Sequence, residues 1–178
     1  ATNLALSMTL LGKKVALVGL DIRKPMLASY LDLPTNGSLT SYLADSAYDI
    51  DDIIVSTNIT RLDVIPAGII PPNPSELLQS NRLDELFVEL RNRYDYIVVD
   101  SAPVAMVSDT FLLSRLVDMT VYVTRANYTT FELVDFLNQT HEQQRLPKMV
   151  AVLNGVDAKK IGYGYGYGYG QNVKSTKR

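Results

Sequence analysis

The 178-residue sequence has no cysteine and only one histidine, His141. The absence of thiols excludes disulfide bonds and thiolate metal sites. His141 lies in a polar stretch, which indicates a surface position and argues against a zinc site. No Gly-x-Ser-x-Gly motif occurs, so the sequence predicts no serine nucleophile of that kind.

Long apolar runs are also missing. No stretch approaches the roughly 20 apolar residues that a membrane-spanning helix requires, and no secretory signal pattern opens the chain. The length suits one domain with a sizeable core. The hydrophobic share of 47% and the charged share of 20% are typical of a folded soluble protein.

Charge is unevenly distributed along the chain. Residues 1–157 contain 12 Lys and Arg against 19 Asp and Glu, a net charge of −7, whereas residues 158–178 contain five basic residues and no acid. The acidic part has no basic stripe, so nucleic-acid binding is not expected. The basic segment can dock on an acidic surface or stay solvated, and charge alone favours solvation. We therefore predict a domain over residues 1–157 and a flexible tyrosine-rich tail over residues 158–178.

Apolar runs alternate with helical patterns. The runs predict strands over residues 15–18, 53–55, 62–65, 96–99, 120–124 and 149–153. Helical spacing predicts helices before Gly12, over residues 37–43, over residues 108–116 and over residues 130–144. It also predicts a helix that has Ser75 as its N-cap. This alternation predicts an α/β fold with a mostly parallel sheet and helices on both faces. Tyr94 and Tyr96 flank one strand and are interpreted as structural.

Charged and polar residues follow several predicted strands, where α/β sheets bind ligands. Asp21 and Asp100 each follow a buried strand, and two such carboxylates can hold a hard cation such as Mg²⁺. The alternative is that each one caps the helix that follows it. Arg125 and Asn154 end two later strands and are further candidates for ligand binding. The residues alone leave both interpretations of the aspartates open.

Arg23 lies two residues after Asp21 and is followed by Lys24 and Pro25. A guanidinium at this place can contact phosphate, or it can pair with an acid across an internal interface. Its fixed distance from Asp21 makes Arg23 the better candidate of the two basic residues.

Together these segments resemble the cytoplasmic kinase domain of bacterial tyrosine kinases, which regulate capsule and exopolysaccharide assembly. Residues 15–25 resemble the family's second Walker motif, and residues 97–103 resemble its Walker B motif. Residues 71–78 are similar to a distinctive family segment, and the tyrosine cluster near the C-terminus is a fourth match. The resemblance runs over nearly the whole chain and implies a P-loop NTPase-like fold that uses ATP and Mg²⁺.

The resemblance also implies roles for single residues. Asp21 matches the second aspartate of the second Walker motif and would lie next to Mg²⁺. Asp100 matches the Walker B aspartate and would hold Mg²⁺ through water. Arg23 matches the motif arginine and is counted with the two aspartates as catalytic. Asn154 stands where related ATPases read adenine, and we expect Arg125 to contact the nucleotide as well.

Two features depart from the family pattern. The family's first aspartate, which is thought to help activate the acceptor hydroxyl, is replaced by Gly19. The glycine-rich Walker A loop and its strand would precede Ala1, since residues 1–5 look like the helix that follows such a loop. We therefore predict that this chain alone binds ATP poorly and phosphorylates weakly.

Tyrosine alternates with glycine near the C-terminus. The resemblance implies that four of these residues are phosphoacceptors, namely Tyr163, Tyr165, Tyr167 and Tyr169. The alternation disfavours helix and buries little, which suits an acceptor that enters a neighbour's active site. The alternative is a low-complexity tail without such a role.

Three functions remain in competition. The first is ATP-dependent tyrosine autophosphorylation between subunits, with the tail as substrate in trans. The second is an ATP-driven switch of the partition or septum-positioning type, which has no need of a tyrosine tail. The third is a non-catalytic regulatory module, which Gly19 favours. The resemblance further implies a membrane chain-length regulator as partner, a homo-oligomer, and a location at the cytoplasmic face of the inner membrane.

Overall fold

The computed structural model describes residues 1–33 and 37–157. The strands are β1 (Val15–Gly19), β2 (Val55–Ser56), β3 (Leu62–Ile65), β4 (Tyr96–Asp100), β5 (Thr120–Arg125) and β6 (Met149–Asn154). The α-helices are α1 (Thr2–Leu10), α2 (Leu27–Leu31), α3 (Leu39–Ala44), α4 (Pro74–Leu78), α5 (Asn81–Arg93) and α6 (Phe131–Glu142). Two 3₁₀ helices cover Ile50–Asp52 and Ser108–Arg115.

The main sheet has four strands in the order β2-β3-β1-β4. Strand β1 pairs in parallel with β3 on one side and β4 on the other, while the short β2 pairs antiparallel with β3. All five residues of β1 are buried. This confirms the prediction of a central parallel strand from its continuous apolar run.

Both faces of the main sheet are covered. Ala16 and Val18 of β1 point into a cluster that includes α3, α5 and the second 3₁₀ helix. Val15 and Leu17 point the other way, into a cluster with residues of α1 and α2. Because successive side chains of a strand face opposite sides, one strand supplies both cores. The predicted arrangement of helices on both faces is confirmed.

Strands β5 and β6 form a separate two-stranded parallel sheet, with Thr120 opposite Met149 and Arg125 opposite Asn154. Helix α6 connects them in the manner of a βαβ unit. Within the described residues no strand pairing joins this sheet to β4. Both strands exist as predicted, but they do not extend the main sheet, and most residues of β6 are exposed.

Two predicted elements differ in detail. Ser75 is not the helix N-cap, because α4 begins at Pro74 with Asn73 as its cap. Proline suits the first helical position, since it has no N–H to lose there. Residues 108–115 form a 3₁₀ helix where an α-helix was expected. The predicted strand over residues 53–55 is shifted, because Ile53 is buried in the core and pairing starts at Val55.

The predicted tail, residues 158–178 with all four acceptor tyrosines, lies outside the described residues. The boundary near residue 157 therefore stays a prediction. Among the helices of the described ranges, none has the length and apolar character needed to cross a membrane.

Tyr94 precedes β4 and reaches across the central strand. Its hydroxyl donates to Asp63 Oδ2 of β3 at 2.9 Å. Burial first, and then this hydrogen bond, raise the pKa of the Tyr94 phenol. Tyr96, by contrast, is 44% exposed. Tyr94 therefore has the structural role predicted for it, whereas the exposed Tyr96 does not show one.

We expect Tyr94→Phe to lower the free energy of unfolding by about 1–2 kcal/mol, because it leaves Asp63 without its donor. Tyr96→Phe is the matched control, and it should change stability by less than about 0.5 kcal/mol. Urea denaturation of both variants measures the difference. Equal stabilities would show that the Tyr94–Asp63 bond does not hold the sheet.

Candidate functional site

The candidate site lies at the carboxyl edge of the main sheet. Strands β3, β1 and β4 are adjacent and parallel, so the loops that follow them meet at this edge. The register places Gly19 opposite Asp100. The backbone N–H groups of Leu20 and Asp21 both donate to the Asp100 carbonyl, at 2.7 and 3.0 Å. These bonds hold the loop after β1 against the end of β4.

Asp21 and Asp100 are therefore neighbours, and their charges interact. Burial raises the pKa of the Asp100 carboxyl, the α-amino group of Ala1 lowers it, and the nearby charge of Asp21 raises it again. The predicted convergence of the two aspartates at one edge agrees with these positions. Their roles as catalytic groups and metal ligands stay predictions.

Asp21 also shapes its own loop. Its Oδ1 accepts the backbone N–H groups of Arg23, at 3.2 Å, and Lys24, at 2.9 Å. Such local bonds from an aspartate are typical of turns. Asp21 therefore does not cap the helix that follows it, since the N-cap of α2 is Met26, and its Oδ1 bonds to its own loop instead. In the described chain, no hydrogen bond engages its Oδ2 or either carboxylate oxygen of Asp100.

The pair suits a magnesium ion. No Lys or Arg side chain in the described ranges forms an ion pair with either aspartate. Carboxylate oxygens are the ligands that Mg²⁺ prefers, and it usually takes only one or two of them beside phosphates and water. Among the described residues no group of three or more His, Cys, Asp or Glu side chains could hold a metal ion.

The N-terminal end of α1 lies beside the same edge, since the Ala1 amino group acts on Asp100. Helix α1 packs against β1, β3 and β4. The start of α1 and the aspartate pair therefore adjoin each other at this edge.

Arg23 is engaged away from the two aspartates. Its Nε and Nη2 both donate to Asp109 Oδ2, at 2.9 and 2.5 Å. Asp109 Oδ1 accepts the hydroxyl of Ser75 at 3.0 Å. Of the two interpretations of Arg23, the structure has the internal ion pair, which joins the loop after β1 to α4 and to the second 3₁₀ helix.

Asp109 and Ser75 are the residues that sequence analysis missed here. Ser75 was interpreted only as a helix N-cap, and Asp109 only as part of the predicted helix over residues 108–116. Asp109 lies 86 residues from Arg23 along the chain, so no local pattern could pair them. The nearest signal was the place of Ser75 in the segment 71–78, which resembles a family motif.

Gly19 adjoins the loop after β3. A Cβ atom at this position would lie 3.0 Å from the Ala67 backbone nitrogen and 3.4 Å from Leu27 Cδ2. The missing side chain thus allows the strand end and the Ala67 loop to approach closely. It also leaves position 19 without the carboxylate that the family places there.

Arg125 and Asn154 lie opposite each other at the ends of β5 and β6. The Arg125 guanidinium lies over the Tyr128 ring, 5.6 Å from its centroid. Asn154 Oδ1 accepts the N–H of Gly155 at 2.8 Å, as in a common turn. The structure brings these two residues together, but no hydrogen bond or ion pair of the described chain links them to the aspartate pair. Their nucleotide-binding role stays a prediction.

The fold is an α/β fold of the P-loop NTPase-like class. A family model described as an AAA domain matches residues 1–148. The chain is 34% identical over 158 residues to the tyrosine-protein kinase CpsD of Streptococcus agalactiae, covering 88% of this chain and 69% of that protein. The kinase domain of the Escherichia coli tyrosine kinase ETK superposes with a TM-score of 0.80 at 30% identity, over 93% of this chain and 65% of that one. The chain belongs to the bacterial tyrosine-kinase family.

A more distant structure shares the fold alone. The septum site-determining protein MinD of Pyrococcus horikoshii, complexed with Mg-ADP, superposes with a TM-score of 0.66 at 17% identity. That alignment covers 85% of this chain and 61% of MinD. The architecture is therefore common to kinases and to ATPases of other function.

The Arg23–Asp109 ion pair should contribute to stability, since the Asp109 side chain is only 13% exposed. A double-mutant cycle with Arg23→Gln and Asp109→Asn is expected to give a coupling energy of about 1–2 kcal/mol. The Arg91–Asp118 pair is the matched control, because the Asp118 side chain is 76% exposed. Its coupling should stay below about 0.5 kcal/mol. Similar coupling energies for both pairs, measured by urea denaturation, would show that the Arg23–Asp109 pair stabilises the fold no more than an exposed ion pair does.

Proposed function

We propose that this chain is the nucleotide-binding part of a protein-tyrosine kinase that uses ATP and Mg²⁺ and phosphorylates its own C-terminal tyrosines between subunits. The observation that supports the proposal is the pair Asp21 and Asp100, which lies at the carboxyl edge of the sheet and forms no ion pair with a described Lys or Arg side chain. Membership of a tyrosine-kinase family supplies the class of reaction.

In this reaction a tyrosine phenol oxygen forms a bond to the γ-phosphorus of ATP. The bond from that phosphorus to the β–γ bridging oxygen breaks, ADP leaves, and the phenolic proton passes to a base. A bound Mg²⁺ would neutralise charge on the phosphates. Asp21 and Asp100 would hold the ion. Arg23 would keep the Asp21 loop in place through Asp109.

No residue is yet assigned as the base that accepts the phenolic proton. The family aspartate at this place is thought to activate the acceptor hydroxyl, and here Gly19 occupies it. Asp21 or Asp100 would have to take the proton, at the cost of the charge that holds the metal. This supports slow phosphoryl transfer rather than none.

An ATP-driven switch is the second candidate, because MinD shares the fold. The tail distinguishes the two functions, since such a switch has no use for four closely spaced tyrosines. A regulatory module without catalysis is the third candidate, and the glycine at position 19 is the observation in its favour.

The remaining parts of the proposal come from the family resemblance. A membrane chain-length regulator would activate the domain, and a homo-oligomer would bring one tail to the next site. The protein would act in capsule or exopolysaccharide assembly at the cytoplasmic face of the inner membrane.

Asp100→Asn tests the proposed site in the protein expressed from its complete reading frame. We expect Mg²⁺-dependent ATP affinity to fall at least about tenfold, and tyrosine phosphorylation to fall about 100-fold, because one metal ligand loses its charge. Mass spectrometry of the tail measures phosphate on Tyr163, Tyr165, Tyr167 and Tyr169.

Asp118→Asn is the control for that experiment, since the Asp118 side chain is 76% exposed and pairs with Arg91 of α5. It should leave both readouts unchanged. Unaltered Mg-ATP binding in Asp100→Asn would refute the metal site. Normal ATP binding with no phosphate on any tail tyrosine of the unmodified protein would favour the switch.

Gly19→Asp tests whether the missing carboxylate at position 19 limits tyrosine phosphorylation. We expect tyrosine phosphorylation to rise about tenfold or more, because the new carboxylate would lie opposite Asp100 and within the site. Gly19→Asn is the matched control, since it meets the same close contact with Ala67 but cannot take a proton. Equal rates in the two variants would show that a base at position 19 does not limit the reaction.

A further inference from the structure

Helix α1 ends in two exposed leucines. Leu10 and Leu11 are 81% and 78% exposed, although burial of a leucine side chain is strongly favourable. Lys13 and Lys14 follow directly after Gly12 and are exposed as well. Single exposed apolar residues are ordinary, but two adjacent leucines that are joined to two lysines by one turn form a compact amphipathic surface.

Arg61 adds a third cation to this surface. A Cβ atom at Gly12 would lie 3.2 Å from Arg61 Nη1, so the guanidinium lies against the turn that joins the leucines to the lysines. The Arg61 carbonyl also accepts the N–H of Val15 at 2.8 Å, which fixes the two chain segments side by side. We call the following five residues the leucine–lysine patch: Leu10, Leu11, Lys13, Lys14 and Arg61.

The patch carries a net positive charge. Lys13 Nζ lies 4.0 Å from Asp95 Oδ1, and both of these side chains are half-exposed. The Lys14 ammonium lies over the Tyr94 ring, 4.8 Å from its centroid. Within the described part of the chain, neither Lys14 nor Arg61 forms an ion pair. Three cations and one acid give this surface a charge of +2.

The backbone holds the patch in one arrangement. Leu11 N donates to the Met8 carbonyl at 3.1 Å, and Lys13 N donates to the same carbonyl at 3.4 Å. Gly12 N donates to the Thr9 carbonyl at 2.9 Å, and the φ of +79° at Gly12 turns the chain out of the helix. Cations at a helix C-terminus complement the helix dipole, but the dipole does not account for exposed leucines in the same turn.

The patch lies at the amino edge of the main sheet. Lys14 directly precedes β1, and Arg61 directly precedes β3, which is a parallel neighbour of β1. Asp21 and Asp100 lie at the carboxyl edge, beyond the five residues of β1, which span about 15 Å. A surface that contacts the patch therefore lies on the far side of the sheet from the aspartate pair.

We propose that the leucine–lysine patch docks this domain on an anionic phospholipid surface. The two leucines enter the boundary between headgroups and acyl chains, while the three cations contact the lipid phosphates. A lipid surface offers negative charge directly above an apolar layer, which matches cations and leucines that lie within one turn. Residues 1–157 carry a net charge of −7 from 12 basic and 19 acidic residues. The locally positive patch is therefore the part of this edge that an anionic surface attracts.

A tryptophan reporter tests the docking, since the 178-residue chain has no tryptophan of its own. We expect the emission of Leu11→Trp to shift to shorter wavelength with vesicles of phosphatidylcholine and phosphatidylglycerol in equal parts. The reason is that the indole moves from water into the lipid interface. Vesicles of phosphatidylcholine alone should give no shift, and added salt should weaken the shift, because charge attracts the patch to the lipid.

Val88→Trp is the matched control. Val88 is 62% exposed on α5, which packs on the opposite face of the sheet from α1. Its emission should not change with either kind of vesicle. The basic residues 158–178 can bind the same vesicles, but this brings neither reporter into the lipid. No shift for Leu11→Trp, or an equal shift for both reporters, would overturn the inference.

The cations are tested by substitution in the protein that carries Leu11→Trp. Lys13→Gln and Arg61→Gln should each raise the lipid concentration at half-maximal shift about fivefold, since each removes one charge from the anionic surface. Lys24→Gln is the matched control, because Lys24 is exposed in the loop after β1, at the other edge of the sheet. Equal half-maximal concentrations in the three variants would contradict docking through the patch.

A second copy of the chain is the competing occupant, since its residues 1–157 are acidic overall. In that case Leu10→Ser combined with Leu11→Ser would lower the oligomeric state without any vesicles, as measured by light scattering. That result, together with an unshifted Leu11→Trp, would assign the patch to contact between copies and overturn the lipid assignment. Asp100→Asn should leave the Leu11→Trp shift unchanged, so the docking surface and the proposed nucleotide site can fail separately.

Discussion

The parallel pairing of β1 with β3 and β4 is the constraint on which the site depends. It buries all five residues of β1 and sets Gly19 opposite Asp100. Asp21 follows two residues later and is held by the Asp100 carbonyl. A shift of one residue in this register would turn the side chains of β1 to the opposite faces of the sheet. The apolar core therefore fixes the position of the carboxylates.

The charge of the site follows from where Arg23 is bound. Its guanidinium is satisfied by Asp109. Burial raises the pKa of the Asp100 carboxyl, and the nearby charge of Asp21 adds to this rise. The Arg23–Asp109 pair holds the loop after β1 and leaves both aspartates without an arginine partner.

The sequence predicted the elements whose signals are local. The apolar runs of β1 and β4 identify buried parallel strands, and the topology rule for such strands places Asp21 and Asp100 together. Contacts between residues that lie far apart in the sequence were not predictable. The Arg23–Asp109 pair spans 86 residues. The separation of β5 and β6 from the main sheet depends on backbone pairing, which the apolar runs do not encode.

The isoleucines after β3 show the same division between local and distant information. Ile69 and Ile70 precede Pro71 and Pro72, and by pattern alone they could equally belong to a core. In the structure they are 80% and 63% exposed. They follow a strand that is adjacent and parallel to β1, so the edge that carries the two carboxylates also carries exposed apolar side chains on its loops.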